Sequence, residues 1–248
     1  MRNVWRLMVL ELRLFVREPM TVVFVLVLPL VMMYVLDGVF GNEARPELYE
    51  GLGASTFYAP TYVALSVATI GILFVPVHLA GYREKGVLKR FRASALSVPT
   101  VLAGHLALGV VLSLASAAVL AVVALTVLGV EPPVSTPALV AGTVLVSLTF
   151  TVLGVVLGLV APSARAAQGL GVLLFFLFLI LGGAGPPREV MPATLVTVGD
   201  WLPVTYAGQL LRAQWVEGAW PASSMAVLAA LLVLSLVAAG ALGRFREV

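Results

Sequence analysis

The densest chemistry in the sequence is the run Arg83-Glu84-Lys85-Gly86-Val87-Leu88-Lys89-Arg90-Phe91-Arg92. The surrounding stretch Tyr82–Ser97 carries six of the 27 charged residues (15 Lys and Arg plus 12 Asp and Glu) and both lysines of the chain. One carboxylate among five cations is a poor catalytic set but a good recognition set. At about 100° per residue on a helix, Val87, Leu88, Phe91 and Ala95 share a side with Glu84, and Lys85, Lys89 and Arg92 form a basic flank. The stretch therefore reads as a short amphipathic helix, and Gly86 inside it, costing about 1 kcal/mol relative to Ala, predicts a bend or a close backbone approach. Charge alone supports two readings equally: a basic loop that fixes topology, and a helix that docks on a partner.

Other chemistries are excluded. There is no GxxxxGK[ST] run, so the chain has no Walker-type nucleotide site of its own. There is no HExxH and no Ser/His/Asp set with plausible placement, and the absence of cysteine removes disulfides and thiolate metal sites. No resident cofactor or metal is expected. The net charge of +3 carries no nucleic-acid signature. His78 and His105 fall near the ends of long apolar runs, where a lone histidine reads as a hydrogen-bonded helix-end residue. No Asp, Glu, Lys or Arg falls in the middle of an apolar run, which argues against an ion-coupled carrier, whose path intramembrane ionisable groups usually mark.

These residues are positioned by membrane helices. The chain is 61% hydrophobic and 11% charged, with mean hydropathy +1.08. A helix needs about 20 apolar residues to cross the hydrocarbon core. Stretches free of Asp, Glu, Lys and Arg run over Pro19–Leu36, Gly51–Tyr82, Ala93–Val130, Pro132–Ala164, Ala166–Pro187 and Gly218–Gly243. Six spans place residues 1–18, 82–97, 162–166 and the C-terminal tail on one side, with 12 of the 15 Lys and Arg residues. The other side holds Arg45, Arg188 and Arg212 with eight of the 12 acids, so both termini are expected in the cytoplasm.

The lead, residues 1–18, sets Arg2, Arg6, Arg13 and Arg17 on one arc and Glu11 and Glu18 on another. It reads as an interfacial helix on anionic headgroups rather than a cleaved signal peptide. Pro29 is expected to kink span one, and Gly154-x-x-x-Gly158 to be ordinary helix packing. Residues 186–217, rich in Pro, Trp and Tyr, read as a partly re-entrant outer hairpin followed by an interfacial helix, with Trp201, Tyr206, Trp215 and Trp220 in the headgroup belt. The expectation is one all-α membrane domain over residues 1–248.

The run from Arg83 to Arg92 resembles the cytoplasmic signature of the type-2 permeases of ABC transporters, the membrane subunits of daunorubicin-exporter-like systems. Pro186-Pro-Arg-Glu-Val-Met-Pro192, Trp201-Leu-Pro-Val-Thr-Tyr-Ala207 and Arg212 are similar to the late outer motif of that family. Ala95 and Leu202 depart from it, standing where Pro and Asn are common. The resemblance implies a half-transporter that pairs with a second permease copy, as homodimer or heterodimer, and with a separate ABC ATP-binding subunit holding ATP and magnesium. It assigns coupling contacts to Glu84, Lys85, Gly86, Leu88, Arg90 and Phe91, and a second lever to the interfacial helix of Arg2, Arg6, Glu11, Arg13 and Arg17. It assigns an outer lid to Pro187, Pro192, Pro203 and Tyr206, and Phe175, Phe176 and Phe178 are candidates for an apolar substrate wall. The implied activity is ATP-driven export of an amphipathic drug, antibiotic or lipid-like compound through the bacterial cytoplasmic membrane. The alternative is an energy-independent membrane scaffold whose basic loop binds lipid or protein.

Overall fold

A computed structural model of the chain describes residues 22–40, 43, 49–86 and 98–245. Among them every regular element is helical. A π-helical segment, Val23–Val27, runs into α1 (Leu28–Phe40). A short 3₁₀ turn at Tyr49–Gly51 precedes a long rod built of α2 (Ala54–Thr69), a second π segment (Ile70–Phe74) and α3 (Val75–Glu84). Then follow α4 (Val98–Thr126), α5 (Thr136–Val160), α6 (Ala164–Leu181), α7 (Ala193–Asp200), α8 (Pro203–Val216) and α9 (Ala222–Phe245).

Among the described residues five helices are long and apolar enough to cross a membrane: Ala54–Glu84, Leu106–Thr126, Thr136–Val160, Ala164–Leu181 and Ala222–Gly243. They coincide with five of the six uncharged stretches, and the first stretch contributes a shorter apolar helix, Val23–Val35. The described residues form the all-helical fold of an integral membrane protein.

The rod from Ala54 to Glu84 is the hub: 94% of its most apolar window is buried inside the protein, against 11% for Ala222–Gly243. Fifteen of the 16 residues of α2 are buried, including Ser55, Thr61, Ser66 and Thr69. Polar side chains survive there because their hydroxyls are satisfied, Thr61 donating to Phe57 O at 2.9 Å and Thr69 to Leu65 O at 2.7 Å. Ser66 donates to Val25 O at 2.5 Å and lies 2.5 Å from Ser116 Oγ. With its single proton spent on Val25, Ser66 accepts from Ser116, so one hydroxyl pair ties the π segment before α1 to α2 and α4.

Both π segments stand two residues ahead of a proline, Pro29 and Pro76. Proline offers no N–H and its ring crowds the carbonyl four residues back. The wider turn moves the ladder, so that Leu28 N–H reaches Val23 O and Val75 N–H reaches Ile70 O. Span one thus meets its proline with a π turn. The second π segment is also gripped by glycine: a Cβ on Gly154 would fall 1.9 Å from Gly71 O, and one on Gly171 would fall 2.7 Å from Ile72 O. The Gly154-x-x-x-Gly158 motif is therefore a seam within the chain, closing α5 onto Gly71, Pro76 and Leu79.

Candidate functional site: the charged end of span two

Span two ends at the basic run. Glu84 is the last helical residue; Lys85 N–H still bonds Gly81 O at 3.0 Å and Gly86 N–H bonds Arg83 O at 3.1 Å. Gly86 has φ +65°, the left-handed conformation that stops helices and favours glycine. Among the described residues nothing lies within 4 Å of where its Cβ would be, and the torsion by itself accounts for this glycine. The expectation of one amphipathic helix over the whole run is corrected here. Tyr82–Glu84 finish the membrane helix, and Gly86 turns the chain before the apolar ridge begins. Leu88, Arg90 and Phe91 lie outside the described residues, as do Arg2, Arg6, Glu11, Arg13 and Arg17.

Arg83, half-buried, and Glu84, exposed, both reach the tight connection between α5 and α6. The Arg83 guanidinium donates from one nitrogen to Gly158 O (2.8 Å), Leu159 O (2.7 Å) and Ala161 O (3.0 Å). These carbonyls close α5, where the last turn has no helical N–H to offer them and the helix dipole favours a cation. Glu84 Oε2 accepts the Ala164 N–H at 3.1 Å, at the first residue of α6, where the dipole favours an anion. Ser163 completes the cap, its Oγ accepting Ala166 N–H at 3.1 Å. Beneath this polar clasp Ala80, Ala161 and Ala167 pack together with Val77. Beside it a cleft of about 410 Å³ is lined by Val77, Glu84, Ser163, Ala164, Arg165 and Gln168. His78, one turn earlier, has Nδ1 3.0 Å from Phe74 O, the hydrogen-bonded helix-end placement expected for it.

At the opposite end the proline motif folds into a hairpin of α7 and α8. Pro187 leads the 3₁₀ turn Arg188–Val190, Pro192 precedes α7 and Pro203 opens α8, where a missing N–H costs nothing. Tyr206 donates to Asp200 O at 2.9 Å and Thr205 to Gly199 O at 2.7 Å. Arg188 forms an ion pair with Asp200. From span two, Tyr58 donates to Gly185 O at 2.6 Å and Tyr62 to Ala184 O at 2.7 Å.

The expected interfacial helix is corrected: nine of the 14 residues of α8 are buried, against α2, α5 and α9. Trp215 is 2% exposed and donates to Glu131 O at 2.9 Å, so it belongs to the core and not to the headgroup belt, whereas Trp201 is 85% exposed. Arg212 is also interior, stacked 4.1 Å over the Phe57 ring with Thr61 Oγ1 at 3.4 Å. Sequence reasoning gave Arg83, Arg212, Tyr58 and Tyr62 no role of their own, although the two arginines stand in the family-like motifs and the two tyrosines lie four residues apart on one face of α2.

Of the aromatic trio, Phe175 and Phe178 are buried in the protein core, the first against Phe24 at 4.9 Å and the second against Phe150 at 5.9 Å. Phe176 is 44% exposed. A separate apolar cavity of about 340 Å³ lies among Val63, Leu114, Ala117, Ala121, Leu139 and Trp215. Among the described residues no group of three or more His, Asp or Glu converges to hold a metal.

The geometry is that of a helix bundle whose buried central rod emerges at a charged clasp. Residues 2–216 match the family model described as ABC-2 type transporter. The chain belongs to the ABC-2 type transporter family. The match ends at the last residue of α8, with α9 beyond it. No curated protein matches the chain. As an ABC-2 membrane domain it is a permease subunit of an ABC transporter, a family whose membrane subunits work with an ATP-binding subunit.

Proposed function

We propose that this permease exports an amphipathic drug, antibiotic or lipid-like compound from the cytoplasm or inner leaflet of a bacterial cytoplasmic membrane. It spans the membrane six times with both termini inside and pairs with a second permease copy. A separate ATP-binding subunit receives residues 85–92, with Leu88 and Phe91 as packing contacts and Lys85 and Arg90 as polar ones. The N-terminal helix is the second lever, and the hairpin of Pro187, Pro192, Pro203 and Tyr206 is the exit-side lid. Of the aromatic trio, Phe176 is the residue we assign to the apolar substrate wall, supported by its exposure on α6 beside the buried Phe175.

One observation carries the reading: the charged run leaves the most deeply buried helix of the bundle, so a force applied there reaches the core directly. The uncharged interior of the spans supports an external energy source over an ion gradient.

Inverted membrane vesicles containing the permease and its ATP-binding subunit test the proposal, with daunorubicin as the fluorescent probe. ATP-dependent accumulation that survives an uncoupler and stops with vanadate is the expected result. Accumulation abolished by the uncoupler and indifferent to ATP would contradict it.

A further inference from the structure

We infer that Arg83 and Glu84 are positioning residues that clamp the α5–α6 turn to the end of span two, so that spans two, four and five move as one body when the segment after Gly86 is pushed. The inference rests on the reading of that segment as the contact with an ATP-binding subunit, and it removes Arg83 and Glu84 from that contact.

Two neighbouring residues of opposite sign match the two opposite helix ends that a tight antiparallel turn presents. Arg83 meets the negative end of α5 through three carbonyls, and Glu84 meets the positive end of α6 through the Ala164 N–H. A lysine in place of Arg83 would keep the charge but end its shorter stem short of these carbonyls. The turn itself is short, with Ala161 following α5 and Ser163 capping α6, so neither helix end can shift without breaking one of these bonds. The small side chains of Ala80, Ala161 and Ala167 let the backbones approach beneath the clasp. Gly86 then divides the labour: residues before it grip the bundle, and the segment after it is the one proposed to meet a partner.

The chain has no cysteine, and a Cβ built on Gly81 lies 3.7 Å from the Ala164 Cβ. That is close to the mean Cβ separation of a disulfide, about 3.8 Å. Gly81→Cys with Ala164→Cys therefore gives a covalent substitute for the clasp. The test uses the full complex with its ATP-binding subunit in lipid nanodiscs. Arg83→Ala with Glu84→Ala is expected to leave co-purification of the ATP-binding subunit intact and to lower ATP turnover at least tenfold. Adding the cysteine pair and oxidising it restores turnover to within twofold of wild type, and reduction removes the gain.

Loss of the ATP-binding subunit from the double-alanine variant would overturn the inference, because these residues would then be partner contacts. Full turnover in that variant, or failure of the oxidised pair to restore it, would overturn it too. If the alanine variant does not fold, Arg83→Lys with Glu84→Gln carries the same test with a smaller loss. A wild-type chain that supports no ATP turnover with any ATP-binding subunit would defeat the proposed function before any variant is made.

Discussion

The two ends of the bundle hold their connections by different chemistry. At the charged end, two adjacent ionised side chains from span two satisfy backbone groups at the ends of α5 and α6. At the opposite end, neutral hydroxyls do the work: Tyr58 and Tyr62 on the carbonyls of Gly185 and Ala184, Thr205 and Tyr206 within the hairpin, beside an ion pair, Arg188–Asp200, that is exposed on its Asp200 side. Hydrogen bonds to charged groups contribute roughly twice as much as neutral ones. Under the proposed coupling, the charged end would transmit displacement and the hairpin end would yield to it.

The largest expected effect is at Arg83. Arg83→Ala strands three helix-end carbonyls and is expected to lower stability by about 3 kcal/mol, measured by unfolding in mixed micelles. Arg83→Lys is expected to recover less than half of that loss. Next comes the hairpin anchor: Tyr58→Phe with Tyr62→Phe is expected to cost about 2 kcal/mol together and to speed amide exchange over residues 182–200 without changing it over 161–167. A larger loss here than at Arg83 would invert the comparison.

Glu84→Gln keeps an acceptor for Ala164 N–H and loses only the charge, for a cost of about 0.5 kcal/mol that shrinks in high salt. Smallest is Arg188→Ala, expected to change stability by less than about 0.5 kcal/mol because its pair with Asp200 is solvent-screened. A substantial effect at Arg188 would mean that the hairpin is as rigidly held as the clasp.

Much of this architecture is legible in the residues themselves. Charge-free stretches mark the five long helices, because hydrocarbon excludes ionised groups whatever the tertiary fold. The prolines around residues 187–203 mark the hairpin, because each sets a local torsion. Gly86 is legible as a special position, although its role as a helix stop rather than a bend inside a helix depends on its φ. What escapes the sequence is long-range. Arg83 finds its carbonyls 75 residues downstream, Trp215 its acceptor 84 residues upstream, and Arg212 a hydroxyl 151 residues away. Composition makes Trp215 a headgroup residue and Arg212 an outer-loop charge; packing makes both interior. The same distance hides the bond of Glu84 to Ala164 N–H, 80 residues away, where motif alone reads a partner contact.

The central claim is that energy enters this permease through the segment after Gly86 and that the clasp before it carries the motion into the bundle. ATP turnover by the reconstituted complex tests this most directly when Leu88→Ala with Phe91→Ala is compared with wild type at equal content of ATP-binding subunit. The account predicts a fall of at least tenfold, with the fold of the permease unchanged. Wild-type turnover in that variant would contradict it.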